Sequence, residues 1–175
     1  MKFPLMHAFS MTDLGLLSQF LGLEIYQSQH GIKVHQSNYA SSYILSKFRV
    51  KDCKPSKTPF LSGVKLEEAG SSPFVNNTLY RQLIGCLIYL THTHPDISYA
   101  FSVASRHMDQ PHEIHWRATK RIINFVQGTR THGILSKAQY DLDLIAFIDS
   151  DWAGDNIDRK YTLGYVFMLA EGPIS

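Results

Sequence analysis

Residues 20–36 read FLGLEIYQSQHGIKVHQ, and the fold can be built outward from this stretch. Two segments rich in large apolar and β-branched residues, FLGLEIYQ and GIKVHQ, lie on either side of the turn residues SQHG. Gly31 supplies the backbone freedom that a tight turn requires. The pattern therefore predicts a β-hairpin over these residues.

Helical periodicity follows the hairpin. Ser37 is placed to cap a helix that continues to Phe48, because apolar residues recur at helical spacing between them. Residues 49–75 are then rich in Pro, Gly, Ser and Lys, which is typical of a long surface connection.

Three further helices are predicted downstream. The first, over residues 77–91, is apolar on most sides, which indicates deep burial, and Gly85 within it suggests a close helix crossing. The second begins at Pro95, a residue favoured in the first turn. The third has Asp109 as its expected N-cap and Gly128 as its expected end.

The pattern changes after this helix. LDLIAFID and YTLGYVFML are short β-rich runs, and the polar turn SDWAGDNIDRK lies between them. We therefore predict an α+β chain, with a β-hairpin and helices over residues 1–130 and the first two strands of an incomplete β-sheet over residues 131–175. These two strands alone would leave apolar faces and an edge uncovered.

Composition limits the class of protein. Hydrophobic residues make up 44% of the chain and charged residues 18%, so a folded core is expected and general disorder is excluded. No apolar run approaches the roughly 20 residues of a membrane-spanning helix, and no secretory signal is evident. Cys53 and Cys86 have no metal-binding spacing. An intracellular protein with reduced thiols, in the cytoplasm or the nucleus, is expected.

Charge divides the chain into two parts. Residues 1–128 hold 13 Lys/Arg against 8 Asp/Glu, whereas residues 129–175 hold 4 against 7. A basic region followed by an acidic one would suit contact with a nucleic-acid backbone and then a cation site, although such asymmetry is common by chance.

An acidic cluster follows the first β-rich run. Asp149 and Asp151 stand at its end, where carboxylates could bind Mg²⁺. A solvated, Asp-rich turn is the simpler interpretation of the same pattern. Zinc is disfavoured, because His112 and His115 are three residues apart rather than four and no third ligand is suggested nearby.

Two basic groups could contact nucleic acid. One lies between the predicted helices and could equally be a solvated surface. The other has an aromatic residue and several cations on one helix. This combination is typical of base stacking and phosphate contact, but it would equally result from a Trp in the core next to solvated charges. The two groups are Lys47, Lys54 and Lys57, and Trp116, Arg117, Lys120 and Arg121.

Six segments together carry a family resemblance. They occur in one order: MTDLGLLSQFLGLEI, GIKVHQSNYASSYIL, CKPSKTP, YRQLIGCLIYLTHTHPDISYAFSVASRHM, HWRATKRIINFVQGT and SDWAGDNIDRKYTLGYVF. This series resembles the Pol polyprotein of copia-type LTR retrotransposons, of the kind abundant in plant genomes. The resemblance extends over nearly the whole chain.

The resemblance implies a layout and an activity. Residues 1–130 correspond to the end of the reverse-transcriptase palm, the hairpin, and the thumb and connection, which lie against a template–primer duplex. Residues 131–175 correspond to the start of an RNase H-like domain. Asp149 matches its first-strand catalytic Asp, and Asp151 is a lesser candidate. In the intact parent these would bind Mg²⁺ and cut RNA in an RNA–DNA hybrid.

Several departures bear on activity. The polymerase string YVDD does not occur, and the later RNase H acids are missing. His94 stands where the family has Arg, and Tyr161 replaces a small residue. We therefore expect an inactive piece of a polyprotein that binds no metal by itself and works with the rest of Pol. The alternative is a stand-alone nucleic-acid-binding module reused by the host.

Overall fold

The computed structural model describes residues 9–12, 15–61, 63–64, 66, 72–138, 143–151, 162–169 and 171–174. They form an α+β arrangement with two antiparallel sheets, as the sequence predicts. The predicted turn between the two C-terminal β-runs lies mostly outside the described residues, and so does Tyr161. Within the described residues, no helix is both long and apolar enough to cross a membrane.

The predicted hairpin is confirmed and forms the centre of the first sheet. Strand β2 (Leu23–Ser28) pairs antiparallel with β3 (Gly31–His35), and β1 (Gln19–Phe20) pairs with the outer side of β2. A fourth strand, β4 (Gly133–Lys137), pairs with the other side of β3. The sheet therefore joins two segments about a hundred residues apart.

Gly31 makes this long-range pairing possible. Its φ is +143°, and an added Cβ would overlap the carbonyl oxygen of Ser136 on β4. A side chain at this position would therefore be strained and would also obstruct β4. The predicted domain boundary after residue 130 stays a prediction, although β4 lies beyond it and pairs with β3.

Helices cover the middle of the chain. A π-helical segment, Tyr39–Ile44, continues into α1 (Leu45–Lys47), and α2 is Asn77–Leu90. A 3-10 turn, Pro95–Ile97, leads into α3 (Ser98–Ser105). The last helix, α4, is Glu113–Thr129. The predicted helices are confirmed. The described part of the predicted connection over residues 49–75 contains no helix or strand, and its one regular contact is an isolated β-bridge between Phe74 and His112.

Four local predictions are wrong. The Ser37 hydroxyl lies 2.8 Å from Nδ1 of His35 instead of capping the helix. Helix α4 begins at Glu113, with His112 rather than Asp109 as its N-cap, and it continues through Gly128. Gly85 is exposed, and an added Cβ would meet no atom within 4 Å, so no helix crosses there.

One hydrophobic core joins these helices. Tyr80 is fully buried within it, and its hydroxyl donates to the carbonyl of Ala104 at 2.8 Å. Burial raises the pKa of the Tyr80 phenol. The buried apolar residues of the core are Ala40, Ile44, Leu45, Val50, Tyr80, Leu83, Ile84, Cys86, Leu87, Leu90, Ile97, Ala100, Ala104, Ile122, Ile123 and Val126.

The second sheet contains the two predicted C-terminal strands. Strand β5 (Leu144–Asp151) pairs antiparallel with β6 (Thr162–Leu169), and the short β7 (Gly172–Pro173) pairs with β6. Phe147 and Ile148 point to opposite faces because side chains alternate along a strand. They are 61% and 71% exposed. The predicted uncovered apolar faces are therefore confirmed.

Candidate nucleic-acid interface

A loop of the connection lies along the outer side of α4. The backbone N–H of Ser56 donates to the carbonyl of Asn124 at 3.1 Å. The Nη2 of Arg121 donates to the hydroxyl of Thr58 at 3.0 Å, and the Nε2 of Gln127 donates to the carbonyl of Lys51 at 2.6 Å. Residues 51–58 therefore run against the helix in the opposite direction to it.

This contact brings the loop that carries two lysines of the first predicted basic group onto the helix that carries the second group. Lys54 and Lys57 are exposed on the loop, and Arg117, Lys120 and Arg121 belong to the helix beneath it. The two groups are about 60 residues apart in the sequence, so the sequence does not predict that they belong to one surface. We call these five residues the basic face.

Two members of the basic face have a partner on α4 itself. The Nε of Arg117 donates to Oε1 of Glu113 at 3.2 Å, which is an i,i+4 pair. The Nζ of Lys120 lies 5.3 Å from the centre of the Trp116 ring. Trp116 is half-buried and packs against the core. The ring therefore belongs to the core and the cations remain at the surface, as the second interpretation of this group expected. The contact with nucleic acid stays a prediction.

Lys47 is held by a different contact. Its Nζ donates to the hydroxyl of Tyr43 at 3.1 Å and lies 5.0 Å from the centre of that ring. The hydrogen bond to Tyr43 raises the pKa of Lys47. The contacts of Lys47 are with its own helix and with Phe48, and none of them joins it to residues 51–58.

The acidic candidates lie on the second sheet. Asp149 is exposed on β5 opposite Gly164, and Asp151 ends the same strand opposite Thr162. Within the described residues, no group of three or more His, Cys, Asp or Glu side chains could hold a metal ion. The described acids therefore form no complete metal site, and the role of Asp149 and Asp151 as Mg²⁺ ligands stays a prediction.

The histidines have structural partners. His94 is buried, and its Nε2 and Nδ1 lie 3.1 Å from the carbonyl of Thr129 and 3.1 Å from the hydroxyl of Thr93. Burial lowers the pKa of the His94 imidazole. His115 accepts from the backbone N–H of His112 at 2.9 Å. These rings connect helices and loops through hydrogen bonds.

Sequence reasoning missed the residues that attach the loop to the helix. The Thr58 hydroxyl and the backbone carbonyl of Asn124 accept two of the hydrogen bonds. Pro55 lies next to Gly128, where an added Cβ would be 3.1 Å from the Pro55 side chain. Polar residues in a Pro-containing loop give no periodic signal, because their partners are set by the tertiary fold.

Comparison with known proteins identifies the family. The family model described as reverse transcriptase (RNA-dependent DNA polymerase) matches residues 1–62. A retrovirus-related Pol polyprotein from transposon RE2 of Arabidopsis thaliana is 36% identical over 95% of this chain and 11% of its own length. The uncharacterized mitochondrial protein AtMg00810 of the same plant is 37% identical over 99% of this chain and 71% of its own length. The chain belongs to the copia-type Pol polyprotein family.

The chain corresponds to a small part of the length of its transposon relatives. A Pol polyprotein from transposon TNT 1-94 of Nicotiana tabacum is 34% identical over 100% of the chain but only 14% of its own length. The chain therefore spans between a tenth and a seventh of these transposon polyproteins. No solved structure matches it.

Proposed function

We propose that this chain is a nucleic-acid-holding part of a Pol polyprotein, that it grips the backbone of an RNA–DNA hybrid or template–primer duplex, and that it catalyses nothing by itself. The parent polyprotein would carry out RNA-directed DNA synthesis and RNase H cleavage. The observation that supports this most is the packing of residues 51–58 on α4, which gathers the basic face. Duplex phosphates attract such clustered cations without regard to sequence.

The second sheet would contribute to the nuclease of the parent. We assign β5 and β6 to the start of its RNase H-like domain, with Asp149 as a metal ligand and Asp151 as a neighbouring one. Mg²⁺ bound there would activate water for RNA cleavage. The role of this chain is then to hold carboxylate oxygens on a strand, and the rest of Pol must supply the other ligands.

Salt dependence tests the duplex contact. Each phosphate that a cation neutralises contributes about −0.9 to the slope of log K against log salt. Contact by all five residues of the basic face would give a slope of about −4.5, which is roughly a 500-fold loss of affinity between 50 and 200 mM salt. Fluorescence anisotropy with a labelled RNA–DNA hybrid measures this slope. A slope near zero, or no binding at 50 mM salt, would contradict the proposal.

Single substitutions locate the contact. Lys57→Gln removes one charge from the basic face and should make the slope about 0.9 less steep. Lys33→Gln is the matched control, because it removes one charge outside the basic face. Lys33 lies on β3, and its Nζ donates a hydrogen bond to the carbonyl of Thr131 at 2.9 Å. Equal effects of the two variants would show that binding depends on net charge and not on the basic face.

A stand-alone binding module is the second candidate function. It is favoured by AtMg00810, since 71% of that short protein is covered by the match. A module that acts alone should bind the hybrid more tightly than the micromolar range of non-specific contact at physiological salt. Weaker binding by the isolated chain would leave the polyprotein role as the better account.

A further inference from the structure

An apolar groove opens beside the basic face. It encloses about 240 Å³ between α4 and the residues that follow the loop. This volume is smaller than the 300–1,000 Å³ typical of pockets for drug-sized ligands, so a single flat ring system suits it better than a large molecule. The lining residues are Phe60, Leu61, Val64, Ile114, Arg117, Ala118 and Arg121.

Both charged residues in the lining are arginines. Glu113 holds the Nε of Arg117, and Thr58 holds the Nη2 of Arg121. The Nε of Arg121 is covered and meets no acceptor within the described part of the chain. A guanidinium that is fixed through one nitrogen can offer its other donors to an anion. The described lining thus combines an apolar floor with positive charge at one side.

Phe60 adds an aromatic wall. It is half-buried, and its ring packs edge-on against Tyr99, with 5.8 Å between the ring centres. That contact fixes the orientation of the Phe60 ring. An aromatic side chain next to arginines is the usual surface for an unstacked base, because a base stacks on the ring while its phosphate meets the cation.

We infer that this groove takes one unstacked base of a single-stranded nucleic-acid segment, with the adjoining phosphate on Arg117 and Arg121. The inference rests on the proposed function, because the other members of the basic face would hold the neighbouring duplex. A paired duplex keeps its bases stacked inside and cannot fill the groove, whereas a single-stranded overhang can. The positive charge continues from the groove to Lys57, which favours a polyanion over an isolated anionic group.

The affinity for an overhang tests the inference. Stacking of one base on an aromatic side chain corresponds to about a 5- to 150-fold gain in affinity. The full chain should therefore bind an RNA–DNA hybrid with a four-nucleotide overhang at least about 5-fold more tightly than the blunt hybrid. A 2-aminopurine placed in the overhang should change its fluorescence on binding.

Two variants fill the groove from opposite walls. Ala118→Leu on α4 and Val64→Phe on the facing segment should each abolish the overhang preference and leave blunt-hybrid binding unchanged. Gln82→Leu is the control, since it places the same side chain on an exposed position of α2. Far-UV circular dichroism verifies folding, and the second variant decides the matter if the first does not fold.

The outcomes separate the inference from the function. Equal affinity of the wild-type chain for both hybrids overturns the inference and leaves the duplex contact standing. Loss of binding to both hybrids overturns the proposed function and the inference together. Retained overhang preference in both folded groove variants also overturns the inference. Tighter binding of an acidic peptide with one aromatic residue than of the overhang would assign the groove to a protein partner and overturn it.

Discussion

Replacement of Gly85 by Ala should stabilise the protein. Gly85 lies inside α2 and is exposed, and an added methyl group would meet no atom within 4 Å. The gain therefore comes only from the backbone. Gly is about 0.8–1.0 kcal/mol less favourable than Ala in a helix interior. We expect the free energy of unfolding to rise by about 0.5–1 kcal/mol and Tm by about 2–4 °C.

Urea unfolding followed by far-UV circular dichroism measures the change. The midpoint should rise while the m-value stays constant, because the exposed surface of neither state changes greatly. Gly128→Ala is the matched control. It lies near the end of α4, and its Cβ would approach Pro55 to 3.1 Å, so the loop must shift. Its gain should be smaller or negative. A loss of stability in Gly85→Ala would refute the reasoning and restore the helix crossing that the sequence suggested.

Four other substitutions probe three separate parts of the molecule. Tyr80→Phe removes the 2.8 Å hydrogen bond to Ala104 and should lower the unfolding free energy by about 1 kcal/mol in urea titrations; no change would mean that the bond contributes nothing. Burial lowers the pKa of His94, so the unfolded chain binds that proton first. Stability from His94 is then complete above about pH 6.5 and is lost as pH falls, and His94→Gln should flatten the curve of stability against pH between 7.5 and 5.5. Parallel curves would contradict this. Phe147→Lys and Ile148→Lys should each change stability by less than about 0.5 kcal/mol and reduce light scattering, because both side chains are exposed. A large destabilisation would mean that those faces are covered.

Local pattern was enough to predict the elements of the fold. The β2–β3 hairpin is rich in β-branched and large apolar residues, α2 is apolar on most sides, and α3 and α4 each have an apolar stripe. The signal for each of these elements lies within about 20 residues. The helix boundaries were less predictable. The Asp109 prediction used the intrinsic preference of an acid at a helix start. In the structure, His112 and His115 bond to each other at that point and move the start to Glu113.

Long-range pairing could not be predicted from pattern. Strand β4 has the composition of an ordinary short strand, and nothing in residues 133–137 indicates that their partner is β3. The sequence did contain one relevant feature, Gly31, but it was assigned to the turn. Its second role, leaving room for the carbonyl of Ser136, depends on a strand that is distant in sequence. The same applies to the loop on α4, whose attachment depends on Thr58 and Asn124.

Gathering like charges on one face has a consequence for folding as well as for binding. Lys54 and Lys57 lie on a loop that packs on α4, so we expect them to repel the cations of that helix more strongly in the folded chain than in the extended one. Added salt screens the repulsion, so the unfolding free energy should rise between 50 and 200 mM salt while hybrid affinity falls. Lys57→Gln should reduce both effects, because one charge contributes to each. In some variants the salt dependence of hybrid binding could fall while that of the unfolding free energy stays the same. The substituted cation would then be one that contacts phosphate and does not repel its neighbours. Urea titrations and anisotropy at matched salt concentrations make that comparison directly.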